Sequence, residues 1–87
     1  MKIKQGFILR EVSGNFIVVA VGEATKTFNG MIQLNDTGAF LWKLLEKGAT
    51  QEQMVEQMAT EYAVDSQVAQ QDVKEFIENL KEANLLV

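Results

Sequence analysis

The sequence predicts an α+β fold, in which a three-stranded antiparallel sheet is followed by three helices in a winged helix-turn-helix-like arrangement. Two observations predict this class. Short β-favouring segments separated by turn residues occupy the first part of the chain, and apolar residues at helical spacing, divided by capping residues, occupy the rest. The 87 residues are typical of one domain, so residues 1–87 are expected to fold as a single unit.

The first two predicted strands form an antiparallel hairpin. Phe7–Val12 and Phe16–Val21 are rich in residues that favour strands, and Ser13–Asn15 is the predicted turn between them. A polar connection of undefined conformation follows from Gly22 to Phe28, and Asn29–Gly30 is a strong turn signal. We therefore expect the chain to reverse at residues 29–30 before a third strand begins.

The third predicted strand is short and runs from Met31 to Leu34. Alternation of side chains places Ile32 and Leu34 toward the core, and Met31 and Gln33 away from it. This strand is a candidate for the edge of the sheet. A free edge can bind an extended peptide as an additional strand, and the functional interpretation starts from that possibility.

The first predicted helix is strongly apolar and should lie at the centre of the core. Side chains of residues 35–37 can cap its start, it is expected to run to about Lys47, and Gly48 is expected to end it in a left-handed conformation. Trp42 widens the apolar stripe and is interpreted as a core residue rather than a ligand platform. The other residues assigned to this face are Phe40, Leu41, Leu44 and Leu45.

Two further helices are predicted. Thr50 begins the second through a capping box with Gln53, and Asp65 or Ser66 caps the third. The second helix presents, at helical spacing, Met54, Val55, Met58, Ala59 and Tyr62. The main apolar stripe of the third consists of Ala69, Val73, Phe76, Ile77 and Leu80. The closing Leu85-Leu86-Val87 is expected to pack back or to add a short final strand.

The residue inventory excludes most catalytic chemistry. The chain contains neither Cys nor His, which removes disulfides, thiolate or His metal sites and His general bases, and it contains only two Ser. We therefore expect a protein that is not an enzyme, without catalytic residue, metal or cofactor. The apolar runs are shorter than the roughly 20 residues that span a bilayer, and the N-terminal segment lacks a signal-peptide core, so a cytoplasmic protein without membrane contact is expected.

The charge distribution disfavours nucleic acid as a partner. Residues 1–47 carry six basic and four acidic side chains, whereas residues 48–87 carry two basic and eight acidic ones. A winged-helix DNA-binding protein needs Lys and Arg on its recognition helix, and the third predicted helix is acidic instead. DNA binding and a scaffold that dimerises through the free sheet edge remain the alternative functions.

One block of the sequence resembles a known family. Residues 29–45 read Asn-Gly-Met-Ile-x-Leu-Asn-x-Thr-Gly-Ala-Phe-x-Trp-x-Leu-Leu, and downstream follow Gly48, Thr50, Tyr62, Asp72-Val73-x-x-Phe76-Ile77-x-x-Leu80 and Leu85-Leu86. This pattern, over about residues 5–87, resembles the family of coenzyme PQQ synthesis protein D, PqqD. The resemblance implies a RiPP recognition element, a small winged-helix-like domain that binds the leader of a ribosomally made precursor peptide. Such a domain presents the leader to a modifying enzyme, often a radical SAM enzyme.

The resemblance also implies where the leader binds. In such domains the leader pairs with the third strand and lies in a groove beside the third helix, which correspond here to residues 31–34 and 66–82. The predicted peptide-binding residues are Met31, Ile32, Gln33, Leu34, Val68, Asp72 and Phe76. Val68 and Phe76 would offer apolar contacts, and Asp72 would pair with a basic leader residue. The alternative interpretation is that Val68 and Phe76 complete the core and that Asp72 is solvated or makes an internal contact. The expected partners are the leader peptide and a maturation enzyme, and the protein is expected to be a monomer or an edge-paired dimer.

Overall fold

The computed structural model describes residues 1–28 and 30–87, so the part of the predicted turn at Asn29 lies outside the described residues. Three strands come first, with a short 3-10 helix (Gly22–Lys26) between the second and the third: β1 (Phe7–Val12), β2 (Asn15–Ala20) and β3 (Met31–Leu34). Three helices follow, which are α1 (Asp36–Lys47), α2 (Gln51–Tyr62) and α3 (Ser66–Glu82). The predicted α+β order is confirmed, and the undefined connection before β3 contains a helical turn.

A two-residue loop closes the hairpin of β1 and β2. Val12 pairs with Asn15, and the intervening Ser13 and Gly14 have φ values of 51° and 80°. Positive φ at both loop residues is the pattern of a type I′ turn, whose twist matches that of the flanking strands. Because Asn15 pairs across the ladder instead of turning, β2 begins one residue earlier than predicted, and it also ends one residue earlier.

The sheet has the strand order β1-β2-β3, which leaves β3 at one edge. Val18 of β2 lies opposite Ile32 of β3. Ile32 and Leu34 are partly buried and pack against the core, while Met31 and Gln33 are exposed on the other face. The predicted alternation of side chains in β3 and its position at the edge are therefore both confirmed.

Asn35 caps α1, as the sequence predicts. Its Oδ1 accepts hydrogen bonds from the main-chain N–H of Gly38 at 2.8 Å and from the hydroxyl of Thr37 at 3.1 Å. At the other end, Gly48 has the expected positive φ of 86°, but its ψ of 116° lies outside the left-handed helical region. The chain therefore leaves α1 in a more extended direction than a left-handed helix end would give.

Trp42 lies in the core and is completely buried, which confirms its interpretation as a core residue. Its indole Nε1 has no hydrogen-bond partner among the described residues. Leu41 and Leu45 are also fully buried, whereas Phe40 and Leu44, predicted on the same face, are only partly buried. The buried stripe is centred nearer Trp42 than predicted because α1 contacts β3 as well as both other helices.

The capping predictions for the other two helices are confirmed. Thr50 and Gln53 form a reciprocal capping box with hydrogen bonds of 3.1 and 2.9 Å. Asp65 caps α3 by accepting a hydrogen bond of 2.8 Å from the Gln67 N–H. All five residues of the predicted stripe on α3 are buried, namely Ala69, Val73, Phe76, Ile77 and Leu80. In α2 full burial is confined to Met54 and Met58.

The two ends of the chain meet. Ile3 forms an antiparallel bridge with Leu86, and the main-chain N–H of Lys4 donates to the carbonyl of Leu85 at 2.7 Å. Leu85 is fully buried in the same core cluster as Trp42. The closing segment therefore both packs back onto the core and pairs with the first residues of the chain.

Candidate functional site

A groove of about 450 Å³ lies between the edge strand β3 and helix α3. The end of β3 and the first turns of α1 form one wall, and the middle of α3 forms the other. Its lining residues are Gln33, Leu34, Asn35, Thr37, Gly38, Leu41, Asp72, Glu75, Phe76 and Asn79. The groove borders the side of β3 that no other strand of the described residues occupies.

The main-chain groups of Met31 and Gln33 face the open side of β3. The type I′ loop closes on a hydrogen-bonded pair, and hydrogen-bonded and non-hydrogen-bonded pairs alternate along an antiparallel ladder. In the observed register, the main-chain groups of Val18 then point toward β3 and meet those of Ile32. Successive residues of a strand direct these groups to opposite sides, so residues 31 and 33 direct theirs away from β2. None of the turn, loop or cap hydrogen bonds in the described residues uses them.

Apolar side chains form only a small part of the groove lining. They are Leu34, which is partly buried, and Leu41 and Phe76, which belong to the core cluster and expose 1% and 9% of their surface. Gly38 allows α1 to begin close to β3, since a Cβ at this position would lie 3.0 Å from Asn35 Oδ1 and 3.4 Å from Leu34 Cβ. A larger side chain at this position would press on the helix cap and on the end of the strand.

The polar rim of the groove is acidic. Asp72 and Glu75 both line it, and among the described residues neither Lys nor Arg does. Glu75 accepts a hydrogen bond from Gln71 Nε2 at 2.9 Å, whereas Asp72 is partly exposed and has no hydrogen bond or ion pair within the described part of the chain. Asn35 and Thr37 are engaged in the cap of α1. A cationic ligand would therefore find the Asp72 carboxylate without an internal competitor.

Helix α3 separates its charged residues between two flanks. Asp72 and Glu75 line the groove beside β3, whereas Lys74 lines a second groove, of about 970 Å³, between α2 and α3. Lys81 lies seven residues beyond Lys74, two helical turns along the same flank. Both walls of the second groove are helices, whose main-chain groups are bonded internally, so it offers no strand edge to an extended peptide. The groove beside β3 is therefore the candidate site.

The structure brings four of the seven predicted site residues together in this groove, which are Gln33, Leu34, Asp72 and Phe76. The other three lie outside its lining. Met31 is 65% exposed on the outer face of the sheet, Ile32 packs against the core beneath β3, and Val68 is 49% exposed near the start of α3. Contact of all seven with a peptide stays a prediction.

Glu75 is a groove residue that the sequence analysis did not assign to the site. The sequence does contain a signal for it, because Asp72, Glu75 and Asn79 follow one another at spacings of three and four residues, which places them on one helix face. Leu41 is also part of the lining, although the apolar pattern of α1 assigned it only to the core. The cap of α1 also contributes to the groove wall, but no pattern in the sequence predicts this contribution.

The described residues contain no group of three or more His, Cys, Asp or Glu side chains that could hold a metal ion. Within the same two ranges, 1–28 and 30–87, every helix is too short or too polar to cross a membrane. The groove itself offers the main-chain groups of β3, a small apolar contact at Leu34 and Phe76, and two carboxylates, which are features that suit a peptide.

The family model described as coenzyme PQQ synthesis protein D (PqqD) matches residues 8–86, which confirms the resemblance. No curated protein matches the chain significantly. Among solved structures, TbiB1 in complex with the TbiA(beta) leader peptide is similar with a TM-score of 0.79 and 24% identity, over 99% of this chain and 94% of that chain. Lasso peptide synthetase B1 complexed with the leader peptide gives a TM-score of 0.78 and 20% identity, over 99% and 95%. At these identities the likeness establishes a shared fold.

Proposed function

The chain belongs to the family of coenzyme PQQ synthesis protein D, and we propose that it binds the leader segment of a ribosomally made precursor peptide. The observation that carries this proposal is the unpaired edge of β3 beside the groove that Leu34, Asp72 and Phe76 line. The two similar solved structures are complexes with leader peptides, which supports the same kind of ligand for a chain of this fold.

In the proposed complex the leader adds to the sheet as a fourth strand. Met31 and Gln33 each supply one N–H and one C=O on the open side, and each hydrogen bond contributes a net stabilisation of about 1 kcal/mol. These bonds alone correspond to a dissociation constant in the millimolar range at best, roughly 4 kcal/mol of binding free energy. The strand edge therefore supplies register and direction, and the groove has to supply further affinity.

The apolar part of the groove supplies some of that affinity. Side chains alternate along the strand, so every second leader side chain points into the groove, where Leu34 and the edge of Phe76 can bury part of it for a gain of about 1 kcal/mol. The cost of ordering the leader offsets part of this gain, so micromolar affinity requires further apolar contacts. Met31 and Val68, which are 65% and 49% exposed, flank the groove and would supply such contacts, whereas Ile32 supports the strand from the core side.

Asp72 and Glu75 give the groove a preference for a leader with a basic residue beside its apolar anchor. Both carboxylates lie near solvent, where an ion pair contributes about 1 kcal/mol or less. Their role is therefore selection among leaders and not the bulk of the affinity. A leader with an acidic residue at this position would meet like charge and bind more weakly.

The bound leader is presented to a separate maturation enzyme, of the radical SAM class in the proposal, and this chain itself performs no catalysis. The encounter takes place in the cytoplasm, where a ribosomally made precursor is synthesised. Because the leader and a second copy of the chain would compete for the same edge of β3, leader binding is expected with a stoichiometry of one to one and would dissociate any edge-paired dimer.

An NMR titration tests this function directly. The ¹⁵N-labelled chain is titrated with a synthetic leader taken from the short peptide encoded beside its gene, and amide shifts are followed to saturation. We expect the largest shifts at residues 31–34 and 66–82, with a dissociation constant in the micromolar range or below. Shifts confined to the groove between α2 and α3, or no shifts at all, would refute leader capture at β3.

A further inference from the structure

The outer face of the sheet is apolar. The register aligns Ile8 with Val19 and Val19 with Met31, so these three residues form one row across the three strands. Ile17 lies in the next row between Arg10 and Gln33. Ile8, Ile17 and Val19 are partly exposed, and Met31 is 65% exposed. Val12, which is 52% exposed, extends this outer face at the hairpin end.

This outer face is separate from the core. The opposite face of the sheet, which includes Leu9, Val18 and Ile32, packs against the buried cluster. Among the described residues, none of the apolar side chains of the outer face packs against that cluster. The largest contiguous apolar patch of a soluble monomer typically measures a few hundred Å² and often takes part in binding.

Arg10 is the charged residue of this face in the described strands, and it lies in the row with Ile17 and Gln33. It forms no ion pair within the described residues. An apolar surface around an unpaired guanidinium is complementary to an apolar surface that carries a carboxylate. Two copies of this chain stacked through the same face would offer Arg10 no partner, because the outer face of the described strands carries neither Asp nor Glu, and this disfavours a symmetric dimer.

The dimensions of the face also disfavour a stable dimer. Three strands spaced by about 4.8 Å, with rises of about 3.3 Å per residue, give a surface of roughly 200–300 Å². A stable protein interface buries about 800 Å² on each partner. The outer face alone is therefore suited to a weak or conditional contact and needs an additional surface to bind firmly.

A leader strand added at β3 would supply that additional surface. Side chains of an added strand alternate between the two faces of the sheet, so about half of those of the leader would lie beside Met31 and Gln33 on the outer face. The composite surface would exist only in the loaded domain. It would consist of the apolar rows, Arg10 and the outward side chains of the leader.

We infer that the outer face of the sheet, completed by the bound leader strand, is the docking surface for the maturation enzyme, whose matching surface carries apolar side chains around a carboxylate that pairs with Arg10. This inference rests on the proposed function for the identity of the partner and for the added strand. It makes enzyme binding tighter when the leader is bound, because the composite surface is larger than either part.

Binding of the purified maturation enzyme encoded beside this gene tests the inference. Its dissociation constant is measured by interferometry for the wild type and for Arg10→Glu, Val19→Thr and Lys74→Glu, each with and without saturating leader. Leader affinity is measured separately for every variant. Lys74→Glu is the matched control, since it makes the same reversal of charge on an exposed residue in the groove between α2 and α3.

We expect the leader to tighten enzyme binding about tenfold or more, and Arg10→Glu and Val19→Thr to weaken it by a similar factor. Leader affinity should change less than about twofold in both variants, because neither residue lines the groove. Lys74→Glu should leave both affinities close to those of the wild type.

Three results would overturn the docking surface while the proposed function stands: leader binding without enzyme binding, enzyme binding unaffected by Arg10→Glu, and an equal loss with Lys74→Glu. A wild-type dimer that Val19→Thr dissociates would show that a second copy occupies the face, which also overturns it. Failure of the leader to bind the wild type would refute the proposed function instead. If the enzyme nevertheless binds the wild type and Arg10→Glu abolishes that binding, the outer face remains the docking surface. If Arg10→Glu leaves enzyme binding unchanged, or if the enzyme does not bind at all, the docking surface is refuted as well.

Discussion

Gln33 on β3 and Asp72 on α3 lie on opposite walls of the same groove. One contributes main-chain hydrogen-bonding groups on an open strand edge, and the other contributes a carboxylate that has no internal partner in the described residues. A peptide that lies between them would therefore be aligned by the strand and selected by the charge on the helix. The contribution of each wall can therefore be tested separately, by substitutions at Gln33 on β3 and at Asp72 on α3.

Replacement of Gln33 by Pro is expected to weaken leader binding while the fold is retained. Proline removes an N–H that points to the open side, so no hydrogen bond between β2 and β3 is lost, and proline is tolerated on edge strands. Loss of one bond and the bulk of the ring should weaken binding about tenfold or more. Leader affinity by titration and the unfolding free energy in urea are the measurements.

Two matched variants accompany Gln33→Pro. Gln33→Ala keeps the main-chain donor and should bind the leader nearly as well as the wild type. Ile32→Pro removes a donor that faces β2 and disturbs a side chain on the core, and it should cost about 1–3 kcal/mol of stability. Normal leader binding by a folded Gln33→Pro protein would contradict strand addition at β3.

Reversal of the charge at Asp72 is expected to reduce the affinity for a leader with a basic residue. Asp72→Lys places a cation in the acidic rim of the groove, and we expect a loss of about fivefold to tenfold, because an exposed pair contributes about 1 kcal/mol and repulsion adds to its loss. The loss should shrink at high salt. Affinity is measured by calorimetry at two ionic strengths.

Glu78→Lys is the control for this variant. Glu78 is exposed on the same helix but does not line the groove, so the same change in net charge should alter the leader affinity much less. Equal losses for the two variants would indicate a general effect of net charge. If the Asp72→Lys protein has normal helix content and unchanged leader affinity, Asp72 is a solvated residue that does not contact the leader.

Substitution of Ala63 by Gly is expected to stabilise the protein. Ala63 ends α2 in the left-handed conformation with φ 51° and ψ 43°, which glycine adopts without the steric cost that a Cβ imposes. The expected gain is about 0.5–1 kcal/mol after the greater entropy of unfolded glycine is subtracted, or roughly 4 °C in melting temperature. Thermal unfolding followed by circular dichroism measures it.

Ala83 provides the opposite control at the end of α3. It has φ −80° and ψ −1°, in the right-handed region, so glycine gains no steric relief there. Ala83→Gly should lower the melting temperature, because it adds unfolded-state entropy and removes a methyl group that packs on the core. A fall in stability for both variants would contradict the interpretation of the α2 end.

Tyr62 should make stability decrease at alkaline pH. Its hydroxyl donates to the Asp36 carbonyl at 3.4 Å, and burial, followed by the negative charges of Asp36 and Glu61, raises its pKa above the ordinary 10.0. Because the folded state holds this proton more tightly, the stabilisation is complete below pH 10 and is lost as the pH rises through the raised pKa. The effect should be modest because Tyr62 is 36% exposed.

Tyr62→Phe isolates this contribution from the titration of lysines. Phenylalanine keeps the edge-to-face contact with Phe40, whose ring centroid lies 5.4 Å from that of Tyr62, and it has no proton to lose. The unfolding free energies of wild type and variant are measured by urea titration from pH 8 to 11.5. Above pH 10 the wild type should lose more stability than the variant. A constant difference over this range would contradict the prediction.

Much of the secondary structure could be predicted from local patterns. The caps at Asn35, Thr50 and Asp65 were predictable because each satisfies N–H groups within three residues of itself. The prediction of β2 was displaced by one residue because the loop is shorter than the turn-forming residues suggest. Phe40 and Leu44 pack against the core but are only partly buried, because helical spacing indicates which residues share a face but not how many neighbouring elements cover it.

By itself, the sequence determined the order of elements, their caps, the alternation in β3 and the family, since each depends on residues that are close along the chain. The resemblance also implied a groove between residues 31–34 and 66–82, but only the tertiary structure decided that Gly38 and the cap of α1 complete its wall, and that Met31 and Val68 lie outside its lining. It also decided which main-chain groups of β3 face outward, because this follows from the register with β2. These relationships arise from packing between elements distant in sequence, for which a single chain carries no local signal.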